Sequence, residues 1–341
     1  MPVQSAPAPL TPQRIMQMAW SFAIPLTLEA AVKHRVFDVL DERPKTLEEI
    51  AAETSASLRG LRAILNLLVS LEFLGKEGEK YKLTPESAAF LVRGKPGFQG
   101  GLLTHISSQL IPNWLKLSEI VATGEPPAAV NEQKAGGEFF AQLVEDIYPM
   151  SEAPARVLAD HLLPLPQVKA SVLDLAAGSG VWGIVAAKKS PNVTVTAVDW
   201  PAVLPVTRRV TQKHDVADRF RFVGGDLLEA DFGSDHDLAT LGHILHSEGA
   251  DRSRALLAKT FRALRPGGTI AIAEFIPDDD RRGPTGPLIF AINMLVNTRT
   301  GDAFTFAELG SWLREAGFEN VRQLPAPGPS PLVLADKPKR T

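Results

Sequence analysis

The chain has 341 residues, 45% of them hydrophobic, and a formal net charge of −3. This length allows two domains with buried cores, and the near-neutral charge gives no indication of nucleic acid or an anionic membrane as a partner. The chain contains no cysteine, which excludes disulfides, thiolate metal ligands and cysteine nucleophiles. These features fit a cytoplasmic protein.

The first twelve residues are rich in proline and alanine and are expected to form a disordered leader. They lack the basic start and the apolar centre of a signal peptide. A membrane helix needs about 20 apolar residues, and no run of that length is expected in this chain. Residues 287–296 come nearest and are too short.

Residues 13–96 are expected to form a winged-helix domain. The apolar pattern predicts helices over residues 13–40 and 58–71, and residues 73–83 have the pattern of a hairpin closed by Gly78. Helices followed by a hairpin in this order are typical of a winged helix.

Winged helices often bind DNA, but the charge of this one argues against it. Residues 42–93 contain eight basic and eight acidic side chains, whereas a surface that binds phosphates needs an excess of positive charge. We therefore expect the domain to serve self-association, which predicts a homodimer. A ligand-sensing transcription factor is kept as an alternative.

Residues 97–165 are expected to be a helical linker that contributes to a substrate pocket, with a loop at 124–137. Bulky side chains in the linker and in a predicted helix at 289–296 are spaced to line an apolar pocket. Such a pocket favours a flat aromatic or polyketide-like molecule. The candidates are Trp114, Phe140, Tyr148, Met150, Phe290 and Met294.

Residues 166–341 are expected to form a doubly wound α/β domain, because strand patterns and helix patterns alternate. A helix predicted at 253–264 is stopped by the proline and glycines that follow it, and a final helix and strand are predicted at 306–316 and 332–335. The main strands are predicted at 171–175, 194–198, 221–223, 238–242 and 269–273.

A glycine-rich turn follows the first of these strands. Gly178, Gly180 and Gly183 fit the spacing of a dinucleotide-binding turn, with Asp199 about 20 residues further on. Asp174, however, puts a carboxylate where a dinucleotide would bring its pyrophosphate. That carboxylate suits S-adenosylmethionine (SAM), which has an ammonium, a sulfonium and no phosphate. The turn therefore favours SAM, and an NAD-dependent oxidoreductase stays an alternative.

The carboxyl ends of the first three strands carry candidate cofactor-binding residues, because open α/β sheets bind ligands there. Asp199 is placed to accept hydrogen bonds from both ribose hydroxyls, Asp226 can accept the adenine amino group, and Leu227 can pack on the ring. With His243, which follows the fourth strand, the full set of cofactor candidates is Asp174, Ala176, Gly178, Asp199, Trp200, Asp226, Leu227 and His243.

The ends of the next two strands carry candidates for chemistry. His246 follows the fourth strand and Glu274 follows the fifth. A phenol with a pKa of about 10 is a poor nucleophile until a base takes its proton, and a histidine oriented by a carboxylate can do so. A metal pair at His243 and His246 is not expected without further ligands, and the acids at 278–280 are expected to form a solvated loop.

These motifs resemble the SAM-dependent small-molecule O-methyltransferases of the caffeate and acetylserotonin type, including their bacterial natural-product branch. The resemblance rests on the glycine turn, Asp199, Gly225-Asp226-Leu227, His246 and the segment 265–268, and it extends over nearly the whole chain. It implies a winged-helix dimerisation domain, a hydroxylated acceptor, and S-adenosylhomocysteine (SAH) as product.

The resemblance also implies residue roles. Asp199 would bind ribose, Asp226 and Leu227 would hold adenine, His246 would be the catalytic base and Glu274 would orient it. Met150 corresponds to a methionine that contacts the substrate ring.

The chain departs from this family at three places. The family's histidine is usually followed by Asp-Trp, where this chain has Ser247 and Glu248. The family's second glutamate corresponds to Ala303, with Asp302 next to it as a possible substitute, and a lysine near the cofactor corresponds to Gly242. Because one supporting carboxylate is missing, C- or N-methylation stays an alternative to O-methylation.

Overall fold

The computed structural model describes residues 10–165 and 167–339, without the side chain of Ala135. The chain forms two compact units, one ending at Gln109 and the other beginning at Leu110. Most of the predicted leader, residues 1–9, lies outside the described residues. The domain boundaries predicted after residues 96 and 165 stay predictions.

The first unit consists of helices followed by a hairpin, as predicted. The hairpin pairs Leu74 with Leu83 and Glu77 with Lys80, and Gly78 turns it with a positive φ of 58°. The elements of this unit are α1 (Gln13–Trp20), α2 (Ala23–Lys33), α3 (Val36–Leu40), α4 (Leu47–Thr54), α5 (Leu58–Ser70), β1 (Leu74–Glu77), β2 (Lys80–Leu83), α6 (Pro85–Phe90) and α7 (Gly100–Leu103). A π-helix, Ile106–Leu110, follows them.

One expectation about apolar runs was wrong. The stretch Gln13–Lys33 is long and apolar enough to cross a membrane by length and composition alone. It was overlooked because polar side chains interrupt it, and in the structure it is divided between α1 and α2 at Ser21 and Phe22. The cytoplasmic location stays a prediction.

The second unit contains the remaining helices and a seven-stranded sheet. Its helices are α8 (Ile111–Trp114), α9 (Leu117–Thr123), α10 (Gln133–Leu143), α11 (Tyr148–Leu162), α12 (Val181–Lys189), α13 (Leu204–Lys213), α14 (Leu245–Ala263), α15 (Thr285–Asn297) and α16 (Phe306–Glu315). Its strands are β3 (Ala170–Leu175), β4 (Val193–Asp199), β5 (Phe220–Gly224), β6 (His236–Gly242), β7 (Leu264–Ala273), β8 (Glu319–Leu324) and β9 (Leu332–Asp336).

The sheet confirms the predicted doubly wound fold. The strand order is β5-β4-β3-β6-β7-β9-β8. The first five strands in this order run parallel, and β9 pairs antiparallel with both β7 and the edge strand β8. The chain moves from β3 outward to β5 and then returns to β6 on the other side of β3. That reversal creates a crevice at the carboxyl end of β3.

Helices cover both faces of the sheet, because successive strand residues point to opposite sides. On β3, Val172 packs into a core with side chains of α11, α12 and α13. Its neighbour Leu173 packs into a second core with side chains of α14 and α16. The near-continuous apolar strands of the sequence are therefore explained by burial on both sides.

Three elements differ from the sequence-based prediction. Strand β8 was not predicted, because it lies at the sheet edge and most of its residues are at least partly exposed. Helix α10 begins at Gln133, inside the predicted loop. A Cβ on Gly136 would lie 2.0 Å from the carbonyl oxygen of Val130 and 2.3 Å from the Trp200 ring, so only glycine fits there. Strand β7 begins at Leu264 and continues past an irregularity in its pairing with β6.

Candidate active site

Asp174, near the end of β3, fixes the helix that follows the glycine turn through a hydrogen bond. The backbone N–H of Gly183 donates to Oδ2 of Asp174 at 3.0 Å, and the Thr240 hydroxyl donates to Oδ1 at 2.8 Å. The carboxyl group is fully buried, and burial raises the pKa of Asp174 to about 7. Both oxygens are therefore engaged within the fold, and the predicted contact of Asp174 with an ammonium group stays a prediction.

Asp199 joins the end of β4 to the same turn. Its Oδ2 accepts the N–H of Gly178 at 2.7 Å, and its Oδ1 accepts the N–H of Trp200 at 2.7 Å. Burial raises the pKa of Asp199 to about 6. The turn itself takes left-handed backbone at Ala176, Gly178 and Gly180. The fold thus places a carboxylate beside the turn, at the crevice where a ligand is expected.

Asp226, after β5, is fixed by two contacts that the sequence did not reveal. Its Oδ1 accepts the N–H of Leu228 at 2.8 Å, and its Oδ2 accepts a guanidinium N–H of Arg252 at 2.7 Å. The neighbouring Leu227 is buried. Lys259 donates to the carbonyl of Leu227 at 2.9 Å, which fixes the backbone of this loop.

His246 and Glu274 form a buried pair across the ends of β6 and β7. Nδ1 of His246 lies 2.7 Å from Oε2 of Glu274, and the backbone N–H of His246 donates to Oε1 at 3.3 Å. Burial raises the pKa of Glu274, but its interactions with His246 outweigh burial and hold that pKa below its usual range. A carboxylate at Nδ1 favours the tautomer with the proton on Nδ1. Nε2 then carries the lone pair that a general base needs.

Aromatic side chains surround this pair. Phe290 meets the His246 ring edge to face at 4.8 Å between centroids, and Phe275 stacks on Phe290 at 4.0 Å. The His243 ring lies 5.3 Å from Phe275, and its Nε2 lies 2.8 Å from the Ser330 hydroxyl. Burial lowers the pKa of His243 to about 4. His243 is therefore neutral near pH 7, and the surroundings of His246 are largely apolar.

The other predicted substrate residues divide into two groups. Met294 is buried on α15, one turn beyond Phe290, and Trp114 donates from Nε1 to Oδ1 of Asn293 on the same helix at 3.1 Å. The carbonyl oxygen of Met150 lies near Gly328, in the segment between β8 and β9 that also carries Ser330. Met294 and Trp114 therefore lie on or beside α15, the helix that carries Phe290.

Tyr148 and Phe140 lie elsewhere. Tyr148 stacks on His214 at 5.1 Å, and His214 follows the end of α13. The structure therefore does not bring Tyr148 to His246, because α11 turns this side chain toward the core beside α13. Phe140 packs against Trp200 at 6.3 Å.

The structure explains the departure at Gly242 and shows that Asp302 does not compensate for the one at Ala303. At Gly242, a Cβ would lie 2.0 Å from Nε1 of Trp182, so the indole occupies the space in which a lysine side chain would begin. Asp302 does not replace the missing glutamate: its Oδ1 accepts the N–H of Ala303 at 2.8 Å, and its Oδ2 faces Arg281 at 3.7 Å. Glu274 is therefore the carboxylate that contacts the His246 side chain.

Several residues that build the site were missed. Thr240, Arg252 and Trp182 contact the predicted residues from within a strand or a helix, where their sequence context shows only apolar or amphipathic patterns. Among the described residues, no group of three or more histidine or acidic side chains could hold a metal ion.

A doubly wound sheet with a glycine turn, two carboxylates at successive strand ends and no basic side chain in the turn defines the class of SAM-dependent methyltransferases. Residues 138–319 match the O-methyltransferase domain family, and residues 16–93 match the O-methyltransferase dimerisation domain. The chain belongs to the O-methyltransferase family and is a SAM-dependent enzyme.

Three relatives illustrate the match. The tetracenomycin polyketide synthesis 8-O-methyl transferase TcmO of Streptomyces glaucescens is 30% identical over 96% of this chain and 97% of its own. The 3-hydroxy-5-methyl-1-naphthoate 3-O-methyltransferase of Streptomyces sahachiroi is 29% identical over 91% of each chain. The crystal structure of human N-acetylserotonin methyltransferase in complex with SAM superposes with a TM-score of 0.83 at 25% identity, covering 98% of this chain and 100% of that one.

Proposed function

We propose that this enzyme methylates a hydroxyl group of a small aromatic or polyketide-like metabolite, with His246 as the general base. The observation that carries the proposal is the buried contact between Nδ1 of His246 and Glu274. It leaves Nε2 to take the hydroxyl proton, while the carboxylate stabilises the charge that develops on the ring.

The residues at the strand ends fit SAM. Asp199 and Asp226 are acceptors suited to ribose hydroxyls and an adenine amino group, and residues 176–180 offer no cation to a phosphate. SAM supplies a methyl group on a positively charged sulfur, which suits attack by oxygen. The protein contributes alignment and the exclusion of water.

The acceptor is expected to be flat and largely apolar. Phe275 and Phe290 supply apolar surface around His246, and aromatic side chains prefer to pack on aromatic ligands. The relatives TcmO and the naphthoate 3-O-methyltransferase are named for polyketide and naphthoate substrates, which supports this class of acceptor.

The experiment measures methyl transfer from SAM to a panel of hydroxylated naphthoates and polyketide phenols by product mass. His246→Ala is expected to lower kcat by about 10²- to 10⁴-fold, the usual contribution of a general base. Glu274→Gln is expected to lower it less, because the amide oxygen can still accept from Nδ1. Tyr148→Phe, whose ring stacks on His214, is the control. A wild-type rate for His246→Ala would show that another group takes the proton.

The alternative of N- or C-methylation is favoured by one feature, the buried Ala303 at the position of the family's second glutamate. NMR of the methylated product identifies the atom that carries the new methyl group and separates these reactions.

We further propose that the enzyme is a homodimer associated through its N-terminal unit. The dimerisation family match supports this proposal, and so does the surface of α1 and the residues that follow it. This surface exposes large apolar side chains, which on a soluble monomer are rarely contiguous. They are Ile15, Met16, Met18, Trp20, Phe22 and Ile24.

A further inference from the structure

Arg252 is a cation at the predicted adenine site, and neither the sequence motifs nor the proposed reaction requires it. It lies on α14 and reaches the loop after β5. Its Nε donates to Oε2 of Glu248 at 2.6 Å, and one of its terminal nitrogens donates to Oδ2 of Asp226 at 2.7 Å. Two of the three guanidinium nitrogens are thus engaged by carboxylates from two different segments.

These two contacts fix the plane of the guanidinium. A guanidinium is flat, and hydrogen bonds at two of its nitrogens leave it little freedom to rotate. Glu248 is 5% exposed as a side chain, whereas that of Arg252 is 42% exposed. The carboxylate that anchors the cation is buried, and the cation itself keeps an open surface.

Asp226 connects this cation to the cofactor. A carboxylate has about four acceptor positions, and Asp226 uses one for the N–H of Leu228 and one for Arg252. Positions remain for an adenine amino group. Two groups that share one carboxylate are close neighbours. An adenine ring bound to Asp226 would therefore lie next to the guanidinium of Arg252.

Glu248 explains why an arginine is needed here. The resembling family has a tryptophan at this position, and this chain has a buried carboxylate that offers no flat surface. A guanidinium packs on aromatic rings through dispersion and cation–π attraction. We propose that Arg252, held between Glu248 and Asp226, is the surface on which the adenine of SAM packs. This inference rests on the cofactor of the proposed function and adds a residue that recognises it.

The experiment measures binding of SAH and of 5′-methylthioadenosine by calorimetry. 5′-Methylthioadenosine keeps the adenosine and lacks the amino-acid tail. Arg252→Ala is expected to weaken both ligands by the same factor, about tenfold, which corresponds to about 1.4 kcal/mol. Arg252→Lys keeps the charge without the plane and is expected to weaken both ligands nearly as much. Arg254→Ala removes an arginine of similar exposure on the same helix, paired with Glu315, and is expected to bind as the wild type does.

A second variant separates packing from charge balance. Arg252→Ala leaves Glu248 buried without its partner, and the double variant Arg252→Ala with Glu248→Gln removes that charge. Packing on the guanidinium predicts that the double variant still binds weakly. Recovery of wild-type affinity in the double variant, or wild-type affinity in Arg252→Ala, would overturn the inference.

The result does not depend on His246, because binding involves no proton transfer. If wild-type protein bound neither ligand, the cofactor assignment and the inference would fall together. If wild type bound and Arg252→Ala bound equally well, only the inference would fall.

Discussion

Gly242 and Trp182 provide the sharpest test of the packing at the crevice. A Cβ on Gly242 would lie 2.0 Å from Nε1 of Trp182, 2.7 Å from Cδ1 and 2.8 Å from Cε2. Ordinary carbon contacts are at about 3.5–4.0 Å, so in Gly242→Ala the indole must move by more than 1 Å. Trp182 lies on α12 and is buried in the core, and its neighbours resist that movement.

Overpacking of this kind typically costs about 1–3 kcal/mol, and the length of the overlap places Gly242→Ala near the top of that range. For a unit of this size, each kcal/mol lowers Tm by about 2–4 °C. We therefore expect Tm to fall by about 5–10 °C, measured by thermal unfolding with urea unfolding for the free energy. Gly286→Ala is the control, because a Cβ there meets no atom within 4 Å.

Trp182→Leu removes the obstacle. In that background Gly242→Ala is expected to cost less than about 0.5 kcal/mol, which gives a coupling energy of about 2 kcal/mol in a double-mutant cycle. Additive effects of the two substitutions would refute the steric reasoning. The same cycle with Gly242→Lys tests whether the family's lysine is excluded by this indole.

Two further predictions concern charge and association. Burial raises the pKa of Asp174 from 3.8 to about 7, so the folded protein keeps a proton that the unfolded chain releases; this stabilisation is complete below about pH 4 and is lost as pH rises through 7. Relative to Asp174→Asn, the wild type should therefore lose up to about 4 kcal/mol of unfolding free energy between pH 4 and pH 8, measured by urea unfolding at each pH. If the unfolding free energies of the two proteins changed with pH in the same way, the reasoning would be contradicted. Trp20 is 66% exposed on α1, and Trp20→Glu is expected to convert a dimer to monomers in light scattering, whereas Leu115→Glu, an exposed site in the other unit, is not; a dimeric Trp20→Glu would exclude this surface.

The fold was largely predictable because its strongest signals are local. Strands buried on both faces give apolar runs, and glycine-rich turns mark where they end, so β3, β4, β6 and the turn at Gly178 could all be placed. Strand β8 could not, since an edge strand needs no apolar run. The glycines of α10 were misread as helix breakers, because the close approach of Gly136 to Trp200 is a tertiary contact that the sequence does not show.

The site was predictable to the level of strand ends and no further. Parallel strands bring their carboxyl ends to one edge, which placed Asp199, Asp226, His246 and Glu274 correctly along the sheet. Side-chain direction depends on partners far away in sequence. Tyr148 faces His214 instead of the acceptor region for this reason.

The three departures from the family differ in their consequences. At Gly242, the Trp182 indole fills the space that the family's lysine would need. At the position of the family's tryptophan, Glu248 is buried and binds the guanidinium of Arg252. Nothing similar stands at Ala303, because Asp302 faces Arg281 and the alanine itself is fully buried. Glu274 consequently makes both the side-chain and the backbone contact to His246, so the orientation of the proposed base depends on one carboxylate where the family uses two.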